Sequence, residues 1–442
     1  MKLPLFTVAI LFASFSVCTS AFACGVFPNL DNVLPKLDSS MNVDDALNEA
    51  WKIKNEVRAE MKKDYDAKVY DRACSDEYKK FYIALRSYED RVAVLGADRG
   101  TVTTNTAFTA KNPQTFVVPG QTMNDPRTDL QSGDIVLSRG NAYTSAAISH
   151  LGDSDQQFSH MSLVYKNPKT GVINTIESHI ELGVIAKPLA ANIKEMNSRD
   201  MVFRFEDQGV SARAAEYMFY RAYNQSKSGS NINYDFQMDM NDSNSLFCSE
   251  VASHAFDHAS NGNVKIPLFM SSLTTRNVSF EHAIKVNQVE SFLPGDIEID
   301  PRFTLISEWK DWKLVRDLQE KDAILRSMLS WMDTKGYQFD QSYNLEVLFK
   351  KNVAWAMRRT PLIDNLVIKK MPLNMSRDMI GLFTVLDQVG KALMKDLHEF
   401  NDNRIAKTGI LPTQETMMIY LDQVRQIDEK FNDPMLKRFH AN

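Results

Sequence analysis

The chain has 442 residues, 44% of them hydrophobic, and carries 51 Lys and Arg against 56 Asp and Glu, a net charge of −5. That acidic balance argues against nucleic acid as a partner, because phosphate binding needs a basic face, and against a polybasic membrane binder. The length suggests two or three domains.

The first 23 residues read as a secretory leader. Lys2 gives a positive start, an apolar run follows, and Ala21-Phe22-Ala23 makes an A-x-A cleavage site. The run is too short, and too rich in Ser and Thr near its end, to span a bilayer, and no later stretch is apolar enough to do so. Ala21 stands where a lipoprotein leader usually has Leu, which argues against lipidation of Cys24. The expected location is periplasmic or secreted. Cleavage removes Lys2 and no acid, so the net charge of −5 becomes −6. It also removes Cys18 and leaves Cys24, Cys74 and Cys248. In an oxidising compartment Cys24 and Cys74 are able to pair. Cys248 is then the odd thiol, either buried and inert or retained for chemistry.

Residues 24–128 form a helical N-terminal region and linker. Val43, Ala46, Leu47, Ala50, Trp51, Ile53 and Val57 recur at three- and four-residue steps. A second helical stretch, SDEYKKFYIALRSYEDRVAVL, follows Cys74, and the two suggest an antiparallel pair or a short bundle. Residues 99–128, rich in Thr, Asn and Pro, read as a linker.

Residues 129–305 read as α+β. SGDIVLSRG is a strand between turns, and YTSAAISHL a short helix. HMSLVYKNPKTGVINTIES is a hairpin about an Asn-Pro…Thr-Gly turn, with GVIAKPL and MVFRFE as further strands. SARAAEYMFYRAYNQ is a helix with Ser211 as its expected cap. Residues 306–442 return to a helical pattern, with Met417, Tyr420, Leu421, Val424, Ile427 and Phe431 forming one apolar stripe.

Cys248 lies in NSLFCSEVASHAF, where a polar approach meets a helical repeat. The positive end of a helix dipole acidifies a thiol at that position, and a thiolate nucleophile needs a base held by an orienting group. His160 opens one hairpin strand and Glu177 ends the other, which makes them cross-strand neighbours in the right register. Glu181 and His179 are rivals to Glu177. Asp134 suits a turn, and Glu250 suits a first helical turn. His254 and His258 share a helix face at zinc-ligand spacing, but Ala255 replaces the glutamate of H-E-x-x-H and no third ligand stands out. No metal or cofactor is expected. Phosphate-cradling, dinucleotide and serine-elbow motifs are absent.

In order, SGDIVLSRG, FSHMSLVY, TIESHIELGVIAKPL, NYDF and LFCSEVASHAF resemble the circularly permuted NlpC-like papain-fold cysteine hydrolases, the YiiX-like branch above all. The resemblance covers residues 129–300. It implies an antiparallel sheet with a catalytic helix, Cys248 as nucleophile, His160 as general base and acid, and Glu177 as orienter. Tyr234 resembles a wall residue of the substrate site, and FLPGDIEIDPRF the closing segment. Phe247 replaces a common Tyr, and the loop at 237–245 is longer and more acidic than the family pattern.

The resemblance and the leader together imply an exported peptidase or amidase with a peptide or amide substrate, peptidoglycan among the candidates. A lipid acyltransferase or deacylase on the same fold is one alternative. A non-catalytic scaffold whose helical flanks dock a protein partner is another.

Overall fold

The computed structural model describes residues 24–25, 27–99, 130–192, 197–340, 352, 375–431 and 438–441. The expected leader and nearly all of the expected linker lie outside the described residues. No helix among those described is long and apolar enough to cross a membrane.

Helices α1 (Val43–Asp66) and α2 (Arg72–Arg99) form the expected antiparallel pair. Asn42 caps α1 by accepting the N–H groups of Asp44 and Asp45. The apolar stripe then buries Ala50, Ile53, Val57 and Met61 against Tyr78, Tyr82 and Leu85 of α2. A disulfide joins Cys24 to Cys74 across a separation of 50 residues, so the Cys24 sulfur is not available for a thioether. Closing a loop of that length removes denatured-state entropy worth up to about 4 kcal/mol. Reductant is therefore expected to lower the urea midpoint of unfolding; an unchanged midpoint would show that the N-terminal segment contributes nothing to global stability.

The central layer is a six-stranded antiparallel sheet. In chain order its strands are β1 (Ile135–Gly140), β2 (His160–Lys166), β3 (Ile173–His179), β4 (Gly183–Pro188), β5 (Asn197–Phe205) and β6 (Phe303–Lys310). Their spatial order is β4-β3-β2-β1-β5-β6. Alternation decides what each face buries. Ile135, Leu137, Met161, Leu163, Ile176, Met201 and Phe203 enter one core with Val251, Ala252, Ala255 and Phe256. Val136, Val164 and Val202 enter another with Leu130 and Trp309. The edge strand β6 runs to Lys310, five residues past the boundary expected at 305. Its alternate burial of Phe303 and Leu305 is a strand pattern, and the helical repeat starts only after it.

Helix α3 (Tyr143–Ser149) follows β1, and α4 (Gln208–Lys227) follows β5. Ser211 is not the cap of α4. Asp207 is, accepting the N–H of Val210 at 2.9 Å, so the helix starts one turn earlier than expected. Helix α5 (Cys248–Ala259) packs on the sheet beside α4. Beyond the sheet come α6 (Trp312–Lys335), α7 (Arg377–Thr408) and α8 (Gln414–Phe431). The stripe on α8 buries Met417, Leu421 and Val424 but leaves Ile427 exposed.

The helical flanks hold the sheet through buried charge. Lys54 of α1 reaches Glu89 of α2 at 2.8 Å and Glu308 of β6 at 2.7 Å. Lys310 bridges Glu89 at 3.2 Å and Glu308 at 3.3 Å. Arg86 clamps Glu298 with two bonds of 2.6 Å. Arg199 of β5 pairs with Asp90, and Arg139 of β1 with Asp322 of α6. The C-terminal side also makes a close neutral contact: the Tyr143 hydroxyl donates to the Gly390 carbonyl at 2.6 Å, and a side chain at Gly390 would strike that ring.

Candidate active site

The hairpin brings His160 and Glu177 together. The register pairs Leu163 with Ile176, which sets Glu177 opposite Ser162 and puts His160 one diagonal step away. They are therefore not direct cross-strand partners, yet the diagonal is short enough for His160 Nε2 to meet Glu177 Oε2 at 2.7 Å. Nδ1 is then the ring nitrogen left for proton chemistry.

Glu177 is fully buried and its oxygens are crowded with donors. Thr175 Oγ1 donates at 2.8 Å, Ser162 Oγ at 3.1 Å and Asn192 Nδ2 at 3.3 Å, while Lys187 Nζ lies at 3.1 Å and His179 Nε2 at 3.2 Å. Burial alone would raise its pKa, but the contacts with His160 and His179 win and hold the carboxyl well below the usual range. It stays an anion and orients the imidazole. His179 is a second imidazole on the same carboxylate, its ring edge-to-face with His160 at 5.4 Å. Thr175, Ser162 and Lys187 are not among the residues singled out from the sequence; the two-residue period of β2 and β3 puts 160 with 162 and 175 with 177 and 179, and is the signal that could have found the first two.

His160, Glu177 and His179 place three potential metal ligand atoms within 4.8 Å of one another. Lys187 Nζ, however, lies 3.1 Å from Glu177 and 3.3 Å from His179 Nε2, so an ammonium already holds the cation position of this cluster. The donor set fits an oriented imidazole better than a metal cage. On α5, His258 stacks on Tyr217 with ring centroids 3.6 Å apart, so the His254–His258 spacing serves packing.

Cys248 is the first residue of α5, behind Phe247, which takes the cap position. The polar residues at 242–245 lie further upstream and do not cap the helix. The backbone N–H groups of Met161 and Ser249 both act on the sulfur. Met161 follows His160 directly, and α5 packs on β2. Among the described residues the thiol makes no hydrogen bond to His160 in this geometry. It is 1% exposed, and burial pushes it up to about 12 despite those two N–H groups. Desolvation of the thiolate opposes the acidification expected from the helix dipole.

Tyr234 is buried close to Cys248, its ring edge-to-face on Phe247 at 5.6 Å. Burial first, and then the neighbouring ionisable side chains Cys248 and Glu250, push its hydroxyl well above the ordinary tyrosine range. Met238, from the long acidic loop, lies in the same apolar cluster as Tyr234, Phe247 and Cys248. Asp134 belongs to the scaffold: it takes two 2.8 Å bonds from Arg204, and Gly133 before it has φ +92° with Ser211 where a side chain would go.

The structure thus sets a helix-start cysteine against an antiparallel sheet whose second strand carries a carboxylate-held histidine. Residues 129–307 match the family described as permuted papain-like amidase enzyme, YaeF/YiiX, C92 family. The YiiX-like branch is the apt label, and the broader NlpC-like one is displaced. A crystal structure of the metalloprotein YiiX from Escherichia coli O157:H7 is similar at 19% identity, over 40% of this chain and 95% of that one, with a TM-score of 0.31. No curated protein matches the chain.

Proposed function

We propose that the protein is an exported thiol amidase that cleaves peptide amides of the cell wall, using Cys248, His160 and Glu177. The family supports amide hydrolysis. The 2.7 Å contact between His160 Nε2 and Glu177, on the strand against which the Cys248 helix packs, is the observation that carries the assignment of roles. Export is supported by the leader and by the Cys24–Cys74 disulfide, which persists in oxidising compartments.

Burial opposes ionisation of the thiol, so the base acts during attack. The Cys248 proton passes to His160 Nδ1 as the sulfur attacks the carbonyl carbon. N–H groups at the start of α5 face the developing oxyanion. The imidazolium, stabilised by anionic Glu177, then protonates the leaving amine as the C–N bond breaks. Water attacks the thioester, His160 takes its proton, and the acid and the free thiol are released. Tyr234 and Phe247 form the aromatic wall beside the acyl group.

The test is a parallel incubation with peptidoglycan fragments and with phospholipid vesicles, read by mass spectrometry. New peptide amines from the fragments are expected. Phospholipid deacylation without amide cleavage would replace the amidase reading with the lipid one.

A further inference from the structure

Glu250 lies two residues past Cys248 in the first turn of α5 and is fully buried. Its Oε2 accepts the N–H of Phe247 at 2.5 Å. Its Oε1 is buried with no hydrogen-bond partner among the described residues. An ionised carboxylate is costly in such a place, since half its charge would face no donor. A carboxylic acid fits better: its carbonyl oxygen takes the Phe247 bond, and its hydroxyl keeps the proton. We infer that Glu250 is a positioning residue that works as a neutral acid, fixing the Phe247–Cys248 turn without setting a negative charge beside the sulfur. This rests on the role proposed for Cys248.

The surroundings favour the neutral form. Asp235, Asp239 and Asp242 face Glu250 from the loop before the helix, and Tyr234 and Cys248 flank it. Arg221 of α4 is spent on the carbonyl of Ser243 in the same loop. Burial and then the aspartates push Glu250 up to about 8, against the Phe247 N–H. Below that pH the helix start meets the sulfur with its dipole alone. Above it, the new carboxylate opposes thiolate formation. A merely structural cap would behave differently, because an ionised glutamate at a helix start caps at least as well as a neutral one.

The experiment measures the rate of Cys248 alkylation by iodoacetamide on the full chain from pH 6 to 10, with the Cys24–Cys74 disulfide intact and C248A as the labelling control. Wild type and E250Q should match at pH 6. By pH 9 to 10 E250Q should react about tenfold faster, the effect of one pKa unit on the thiol. D242N, which removes one like charge, should move the wild-type break to lower pH and keeps the inference testable should E250Q not fold. Superimposed wild-type and E250Q profiles, or a break that D242N leaves in place, would overturn it. Full hydrolysis by C248A would instead overturn the nucleophile assignment, and the alkylation profiles would still decide the charge state of Glu250 on their own.

Discussion

Alanine at Cys248 is expected to lower kcat/KM for amide cleavage by about 10⁴-fold or more, with the fold intact. The thiol supplies the bond that forms in the first step, and nothing in the described site replaces it. His160→Ala should cost nearly as much, since a thiol that burial holds up to about 12 depends on a base to take its proton during attack. The informative measurement is the double variant. Residues that act as one unit are grossly non-additive, so C248A/H160A should be no slower than C248A alone. Additive losses would mean that the two residues serve separate functions. Glu177→Gln keeps the size of the orienter and removes its charge, and belongs in the same series as a milder loss, confined to kcat.

Replacing Lys54 by alanine should destabilise the protein by about 3–5 kcal/mol, the usual cost of removing one member of a buried ion pair. Lys54 joins Glu89 and Glu308, and all three are buried. Its loss leaves two carboxylates to one ammonium, Lys310. Urea unfolding measures the cost; a loss under 1 kcal/mol would show that water enters the network. The same network sets the acid limit. Burial raises the pKa of Glu308 and Asp90, but Lys310 and Lys54 on Glu308, and Arg199 and Lys310 on Asp90, hold both below the carboxylate range. Groups depressed in the folded state add stability that is fully present above their unfolded pKa of about 4 and is lost as pH falls through their folded values. The unfolding midpoint should therefore be insensitive to these groups from pH 5 to 7 and fall below pH 4.

The strands of the sheet, the hairpin and the helix behind Cys248 are legible in the sequence because each carries a clean period of two or of three to four residues. His160 and Glu177 are legible as a pair because a short turn joins their strands. The diagonal register is not, since it depends on how residues 167–172 fold back. The state of Cys248 escapes the sequence for a physical reason. A sequence displays the helix start that lowers a thiol pKa, but not the packing of Tyr234, Met238 and Phe247 in the cluster that raises it. Glu250 reads as an ordinary first-turn acid for the same reason: burial is a property of the assembled fold. The flanking helices are recognisable as helices, yet their ion pairs reach across 254 residues from Lys54 to Glu308, a distance no local pattern encodes.

Arg139 and Arg199 belong to the amidase segment, while their carboxylate partners, Asp322 and Asp90, belong to its neighbours. The boundaries of the family match therefore cut through buried ion pairs of the sheet. Trimmed to the family boundaries, the segment would lose Asp322 and Asp90 and leave each guanidinium in the interior of its own sheet on a carbonyl alone, Gly140 for Arg139 and Gln157 for Arg199, so the matched boundaries would be a poor guide to where the chain can be cut.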